Sequence, residues 1–163
     1  LFRDPLPEGF RDHSPRLLHS SADAIPELAT DSVDLVVTSP PFLNEVDYLQ
    51  DNWMRMWFCG IGVEKSSLWQ LRSIPDWTAR MEATLRELRR VLKKGGVIAF
   101  EVGEVRKGTI RLELEIVSAG IRAGLVAEQV IINSQSFTKT SNCWGVKNNK
   151  RGTNSNRIVV FRK

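Results

Sequence analysis

The residues best suited to chemistry in this chain form the stretch Thr38-Ser39-Pro40-Pro41-Phe42. Each proline fixes its own φ angle, and Pro40 restricts Ser39 to an extended conformation, so this stretch is stiff. We expect the Ser39 hydroxyl and the Pro40 carbonyl to point outward as hydrogen-bond acceptors. The alternative is that Ser-Pro-Pro-Phe forms only a rigid turn, since proline pairs commonly mark turns.

Two such acceptors could activate an amino group attached to an aromatic ring. The lone pair of that amine is delocalised into the ring, and the nitrogen becomes nucleophilic only when the lone pair is localised on it. Hydrogen bonds from its two N–H groups to Ser39 and Pro40 would push the nitrogen toward tetrahedral geometry and aim the lone pair at an electrophile. Phe42 could stack on the ring, a contact of about 1–3 kcal/mol for a nucleobase outside a duplex.

The elements that position this stretch can be predicted from apolar periodicity. Short apolar runs at residues 33–37, 97–100, 126–132 and 158–161 predict strands, of the kind buried on both faces of a parallel sheet. Helices are predicted over residues 77–92, after an N-cap at Asp76, and over residues 112–122, ending at Gly124. This alternation predicts an α/β fold of the doubly wound kind, in which ligands bind beyond the carboxyl ends of the strands.

Length and composition predict one domain over residues 1–163. With 163 residues, 42% of them apolar, the chain can bury a core without disulfides or metal ions. It contains two cysteines and neither a signal-peptide pattern nor an apolar run long enough to span a membrane. These features predict an intracellular protein.

Positive charge is concentrated after Glu128, where no acidic residue follows. Seven basic residues lie there: Lys139, Lys147, Lys150, Arg151, Arg157, Arg162 and Lys163. Residues 137–157 are also rich in Asn and lack a helix or strand period. This composition predicts contact with a polyanion, in which Lys139, Lys150, Arg151 and Arg157 bind phosphates and Trp144 stacks on a base. The alternative is a solvated loop.

A second aromatic region spans residues 47–58 and includes Tyr48, Trp53, Trp57 and Phe58. Residues 51–57 read as an amphipathic helix on which Trp53 and Trp57, four positions apart, share one face. The region could line a pocket for a base swung out of a duplex, but core packing, with both tryptophans covering the sheet, is the alternative.

Taken together, these patterns resemble the DNA amino-methyltransferases, whose catalytic motif reads Asp, Asn or Ser, then Pro-Pro, then an aromatic residue. The resemblance extends from about residue 17 to Lys163. Besides residues 34–42, it rests on Ser21-Ala-Asp23-Ala, on residues 42–48, on residues 88–96 with Gly95-Gly96, and on residues 100–105.

The resemblance implies a Rossmann-like class I methyltransferase sheet in a prokaryotic or phage protein. It implies transfer of a methyl group from S-adenosylmethionine to the exocyclic amine of a DNA base, with Ser39, Pro40, Pro41 and Phe42 as catalytic residues. Serine at position 39 is typical of members that modify N4 of cytosine, and N6 of adenine is the alternative. A related enzyme that acts on RNA or on a protein glutamine amide is a rival interpretation. Glutamine-modifying enzymes use Asn-Pro-Pro-Tyr, from which Ser39 and Phe42 depart.

The resemblance also implies the binding residues. Asp23, Thr38 and Ser39 would contact the cofactor, with Asp23 accepting from its adenine amino group, although Asp23 could instead be a helix N-cap. Asn44 and Tyr48 would contact DNA.

The glycine-rich cofactor loop of the family, Phe-x-Gly-x-Gly directly after a strand, has no clear counterpart. Phe58-Cys-Gly60-Ile-Gly62 matches the letters, but it follows a predicted helix, and we interpret it as a helix terminus. The first strands and this loop are therefore expected upstream of Leu1 or on a second chain. If they are lost, the domain is a catalytically inactive remnant that binds DNA.

Overall fold

The computed structural model describes residues 14–41, 43, 48–62, 69, 71, 73–103, 110–134 and 155–163. The elements in these residues follow in the order β1 (Val33–Thr38), α1 (Tyr48–Phe58), α2 (Ile74–Val91), β2 (Leu92–Gly103), α3 (Leu112–Arg122), β3 (Val126–Ser134) and β4 (Ser155–Arg162). Each strand and helix predicted from the apolar pattern is present, which confirms an α/β fold.

The four strands form one mixed sheet in the order β1-β2-β4-β3. Strands β1 and β2 are parallel, whereas β4 is antiparallel to both of its neighbours. The prediction of a parallel sheet is therefore correct for β1 and β2 and wrong for β4. Because β1, β2 and β3 run in one direction, they end at the edge of the sheet where β4 begins. We call this edge the Ser39 edge, since Ser39 directly follows β1.

Helices α2 and α3 pack together on one face of the sheet. The apolar face of α2, with Trp77, Met81 and Leu85, is fully buried there. Ile116 of α3 is fully buried against the same face of the sheet. From the sheet, the side chains that share this core include Val36, Ile98, Phe100, Val102, Val159 and Phe161. This single apolar layer fixes the end of β1 relative to α2.

The opposite face of the sheet is more open in the described part of the chain. The exposed fractions of Leu35 and Val37 in β1 are 58% and 74%, and Ile131 in β3 is also exposed. The prediction that the apolar runs are buried on both faces is therefore wrong for these two strands. The physical reason is that α2 and α3 both lie on the other face, while β1 and β3 are the outer strands of the described sheet.

The start of α2 differs from its prediction. Ser73, not Asp76, is the N-cap: its hydroxyl accepts a hydrogen bond from the Asp76 amide at 3.2 Å and donates one to the Asp76 carboxylate at 2.6 Å. The helix begins earlier because Pro75 fits within the first turn, where its missing N–H costs nothing. Helix α3 ends as predicted, with Gly124 at a φ of 84°.

Candidate active site at the Ser39 edge

The stretch that follows β1 is anchored by a buried tryptophan. Ser39 is exposed, whereas Pro40 and Pro41 are half-buried. The indole Nε1 of Trp77 donates a hydrogen bond to the Pro41 carbonyl at 3.0 Å, and the Trp77 side chain is only 1% exposed. Leu43 is also buried. The Ser39 hydroxyl is thus held at the surface by a backbone that is fixed directly behind it. Phe42 and Asn44 lie outside the described residues.

The sequence predicted Trp77 only as an apolar position of a helix. Its indole N–H was the missed signal, because a buried tryptophan nearly always finds a hydrogen-bond acceptor for that group. The acceptor lies 36 residues earlier in the chain, so no local pattern identifies it.

Asp23 lies in a turn that is closed by a hydrogen bond from the Ala24 amide to the Ser21 carbonyl at 3.0 Å. No helix follows it in the described residues 24–32, so the alternative that Asp23 is a helix N-cap is wrong. Its Oδ1 accepts from the Ser21 hydroxyl, and its Oδ2 lies 2.8 Å from Nη1 of Arg80. A carboxylate has about four lone-pair sites, so Asp23 retains the capacity to accept a further N–H group.

Arg80 connects Asp23 to a depression on the outer side of α2. The Arg80 guanidinium lies 4.3 Å from the centre of the Trp69 ring. The depression, of about 460 Å³, is lined by Trp69, Leu71, Asp76, Ala79, Arg80 and Ala83. Neither Thr38 nor Ser39 lines it, so the shape of the surface alone does not identify the predicted site.

The segment before β1 is clamped to α2 by Glu87 and Arg90. Glu87 accepts from the Ile25 amide at 2.8 Å, and Arg90 donates to the carbonyls of Ile25 and Leu28, each at 3.0 Å. The hydrogen bond from Arg90, with a smaller contribution from the Ile25 amide, lowers the pKa of Glu87 from 4.5 to about 2 against the opposing effect of burial. These contacts fix the chain that carries Asp23 and enters β1.

Gly60 and Gly62 follow a helix, as predicted. Gly60 has a φ of 63° directly after α1. Its amide donates to the Trp57 carbonyl at 3.1 Å, and the Ile61 amide donates to the Met56 carbonyl at 2.9 Å. This pair of bonds is the Schellman arrangement that ends helices. The amides of Gly60 and Ile61 are therefore occupied within the helix end, whereas a cofactor-binding loop would have to present its amides to the ligand.

Helix α1 differs from the prediction in its packing. Tyr48 is its first residue. Trp53 and Trp57 are exposed, so the prediction that they cover the sheet is wrong. Trp57 instead makes an edge-to-face contact with Phe58 at 5.0 Å between ring centres.

The predicted DNA-binding residues Lys139, Trp144, Lys150 and Arg151 lie outside the described residues. The two residues that flank residues 135–154 are described: Ser134 of β3 pairs with Ser155 of β4 at the carboxyl end of β3. Both ends of the basic segment therefore lie at the Ser39 edge.

Arg157 is the described member of the basic residues that the sequence predicted to bind phosphates. It belongs to β4, it is 17% exposed, and its Nε lies 3.3 Å from Oε1 of the buried Glu113. Its guanidinium therefore has a partner within the protein, and a contact between Arg157 and DNA stays a prediction.

Two other basic residues of the tail lie at the opposite end of the sheet. Arg162 forms an ion pair with Glu128, and the hydrogen bond between them lowers the pKa of Glu128. Lys163 Nζ lies 2.6 Å from the Asp31 carboxylate. The described basic residues after Glu128 therefore do not form one continuous basic face. Strand β4 places Arg157 near the Ser39 edge and Arg162 at the opposite edge.

A family model and several solved structures match this chain. A family model described as DNA methylase matches residues 33–163. The PvuII DNA methyltransferase, described as cytosine-N4-specific, is 14% identical with a TM-score of 0.52, and the match covers 83% of this chain and 44% of that one. A DNA modification methylase from Thermus thermophilus, solved with S-adenosyl-L-methionine, is 22% identical with a TM-score of 0.47 and coverages of 83% and 49%.

The chain thus spans about half the length of these solved structures. The likeness to the PvuII enzyme shows a shared fold. No curated protein sequence matches the chain. None of the described helices is long and apolar enough to cross a membrane.

Proposed function

Because the chain belongs to the DNA methylase family, we propose that it transfers a methyl group from S-adenosylmethionine to the exocyclic amine of a DNA base, with N4 of cytosine as the acceptor. The observation that carries this proposal is the exposed Ser39 at the end of β1, on a backbone anchored by the bond from Trp77 to Pro41.

In the proposed reaction, the Ser39 hydroxyl oxygen and the Pro40 carbonyl oxygen each accept one N–H of the target amine. These two bonds localise the nitrogen lone pair and orient it, so that little reorganisation remains when the new nitrogen–carbon bond forms. When bound, S-adenosylmethionine would supply the electrophilic methyl group and would retain the sulfur as an uncharged thioether after the methyl group had passed to nitrogen. The extra proton on the methylated nitrogen then leaves to water, since Ser39 is neutral and exposed.

The proposed cofactor contacts are Asp23, Thr38 and Ser39, and their chemistry fits the ligand. The Asp23 carboxylate, 15% exposed, can accept from an amino group on adenine while Arg80 supplies its counter-charge. Thr38 and Ser39 bring two hydroxyl groups to the end of β1. Since Gly60 terminates a helix, we propose that the glycine-rich loop comes from a second chain or from an upstream segment of the same protein.

DNA is the proposed partner. The charge of residues 135–154 supports it, and so does the position of the two residues that flank them. Residues 135–154 contain no acidic residue and four basic ones, Lys139, Lys147, Lys150 and Arg151. The residues on either side of this segment, Ser134 and Ser155, both lie at the edge that carries Ser39. Phosphate contacts position a protein on DNA and base contacts specify the site, so a basic segment whose two ends lie at the edge that carries Ser39 suits a flipped-base reaction. Phe42, Asn44, Tyr48 and Trp144 are the proposed contacts to bases.

Single-turnover methyl transfer to duplex DNA tests the clamp. We expect Ser39→Ala to lower the transfer rate more than tenfold, which corresponds to about 1.4 kcal/mol of barrier and is within the range for one hydrogen bond to a developing charge. Ser32→Ala is the matched control, because Ser32 precedes the same strand at its other end and bonds the Ala29 carbonyl.

The outcomes separate the alternatives. An unchanged rate in Ser39→Ala removes Ser39 from the mechanism. Analysis of the digested product distinguishes N4-methylcytosine, which we expect, from N6-methyladenine, which would overturn the choice of base. DNA binding without transfer, even with the missing loop restored, would indicate a catalytically inactive remnant.

A further inference from the structure

Glu113 is an unusual residue in this fold. It lies in the first turn of α3, yet its side chain is only 2% exposed. Its Oε1 accepts from Arg111 Nε at 2.9 Å and lies 3.3 Å from Arg157 Nε, while Oε2 has no hydrogen-bond partner among the residues that the structure describes. A carboxylate is rarely buried unless a positive charge compensates it.

The two arginines differ in exposure and therefore in what they can do. Arg157, at 17% exposure, is enclosed with Glu113 and serves as its counter-charge. Arg111 is 61% exposed, so one bond to Glu113 orients a guanidinium that otherwise faces solvent. A guanidinium carries five N–H donors, and its planar fork matches phosphate oxygens.

This cluster lies at the Ser39 edge. Arg157 pairs with Val102 of β2, and Thr38 of β1 pairs with Phe100 two residues earlier on the same strand. Two strand spacings separate β1 from β4, so the backbone of Arg157 is roughly 10 Å sideways from the end of β1. Helix α3 begins at the same edge, with Arg111 as its N-cap residue, and the acidic residues of its first turn, Glu113 and Glu115, face the positive end of its dipole. The positive charge offered to solvent at this point is therefore that of Arg111.

We propose that Arg111 contacts a backbone phosphate of the bound DNA, and that Glu113 and Arg157 position it. This inference rests on the proposed function. It assigns the phosphate contact at this end of β4 to Arg111 and gives Arg157 a positioning role behind it.

The test is a titration of labelled duplex DNA over a salt series with the full chain. Arg111→Ala should weaken binding about tenfold at low salt, the size expected for one charge-assisted hydrogen bond. It should also flatten the dependence of log affinity on log salt by about 0.9, the loss of one phosphate contact. Arg111→Lys should keep the slope, because the charge remains, but recover only part of the affinity, because lysine lacks the fork that Glu113 orients.

Arg122→Ala is the matched control. Arg122 lies in the last turn of the same helix, is half exposed and also pairs with a glutamate, Glu82, at 2.6 Å. It should leave affinity and slope unchanged. An unchanged slope in Arg111→Ala, or an equal loss in Arg122→Ala, would overturn the inference while the proposed function stands. Absence of salt-dependent duplex binding by the wild-type chain would overturn both.

Discussion

Replacing Trp77 with phenylalanine tests whether the anchor behind Ser39 positions the clamp. The substitution keeps an aromatic ring in the core but removes the Nε1–H that donates to the Pro41 carbonyl at 3.0 Å. Because Trp77 is fully buried and the bond is partly buried, water cannot readily replace the lost donor. Both stability and methyl transfer should therefore decrease.

The expected loss of stability has two parts. An unsatisfied carbonyl in a partly buried position costs about 1–3 kcal/mol. The smaller ring would leave a cavity, and roughly 40 Å³ at about 24 cal/mol per Å³ adds about 1 kcal/mol. The free energy of unfolding should thus decrease by about 2–4 kcal/mol.

The substitution should lower methyl transfer even where folding is complete. Under conditions where the variant is fully folded, a shift of about 1 Å in the Ser39 backbone can lower the rate by up to about a hundredfold. Urea denaturation followed by circular dichroism measures the first quantity, and single-turnover transfer measures the second. Trp53→Phe, at an exposed position of α1, is the control and should change stability by less than about 0.5 kcal/mol. A folded Trp77→Phe protein with wild-type transfer would refute the positioning role of this bond.

Two further predictions concern the scaffold. Gly120→Ala should destabilise the fold by about 1–3 kcal/mol in urea denaturation, since its new Cβ would lie 2.2 Å from a ring carbon of Phe161, and equal stability would show that the ring can move. The folded-state pKa of Glu87 is about 2, below its usual 4.5, so its contribution to stability is complete above about pH 4.5 and is lost as the pH falls toward 2. Glu87→Gln should flatten this part of the stability profile in acid titrations; a profile unchanged by this substitution would contradict the assignment.

Much of the local structure could be predicted from the sequence, because local backbone chemistry decides it. The apolar runs became strands, the helical spacing from Trp77 became α2, and Gly60 and Gly124 ended helices because a left-handed φ suits glycine. The Ser39-Pro40-Pro41 stretch was predicted at a strand end and lies there. The roles of Phe42, Asn44 and the basic residues of 135–154 stay predictions.

Only the tertiary structure decided which groups meet. Strand β4 lies between β2 and β3 and runs against both, a pairing between residues far apart in the chain that no period within a strand encodes. An apolar run likewise does not say which face will be covered, and Leu35 and Val37 are exposed because both packed helices lie on the other side.

The partners of the polar groups at the site follow the same rule. Trp77 finds Pro41, Arg80 finds Asp23, and Glu113 finds Arg157 across more than thirty residues of chain in each case. Residue type shows that a buried indole or carboxylate needs a partner, since leaving one unpaired costs free energy. Which partner satisfies it depends on how the sheet and its two helices are packed, and that is settled only when the chain has folded.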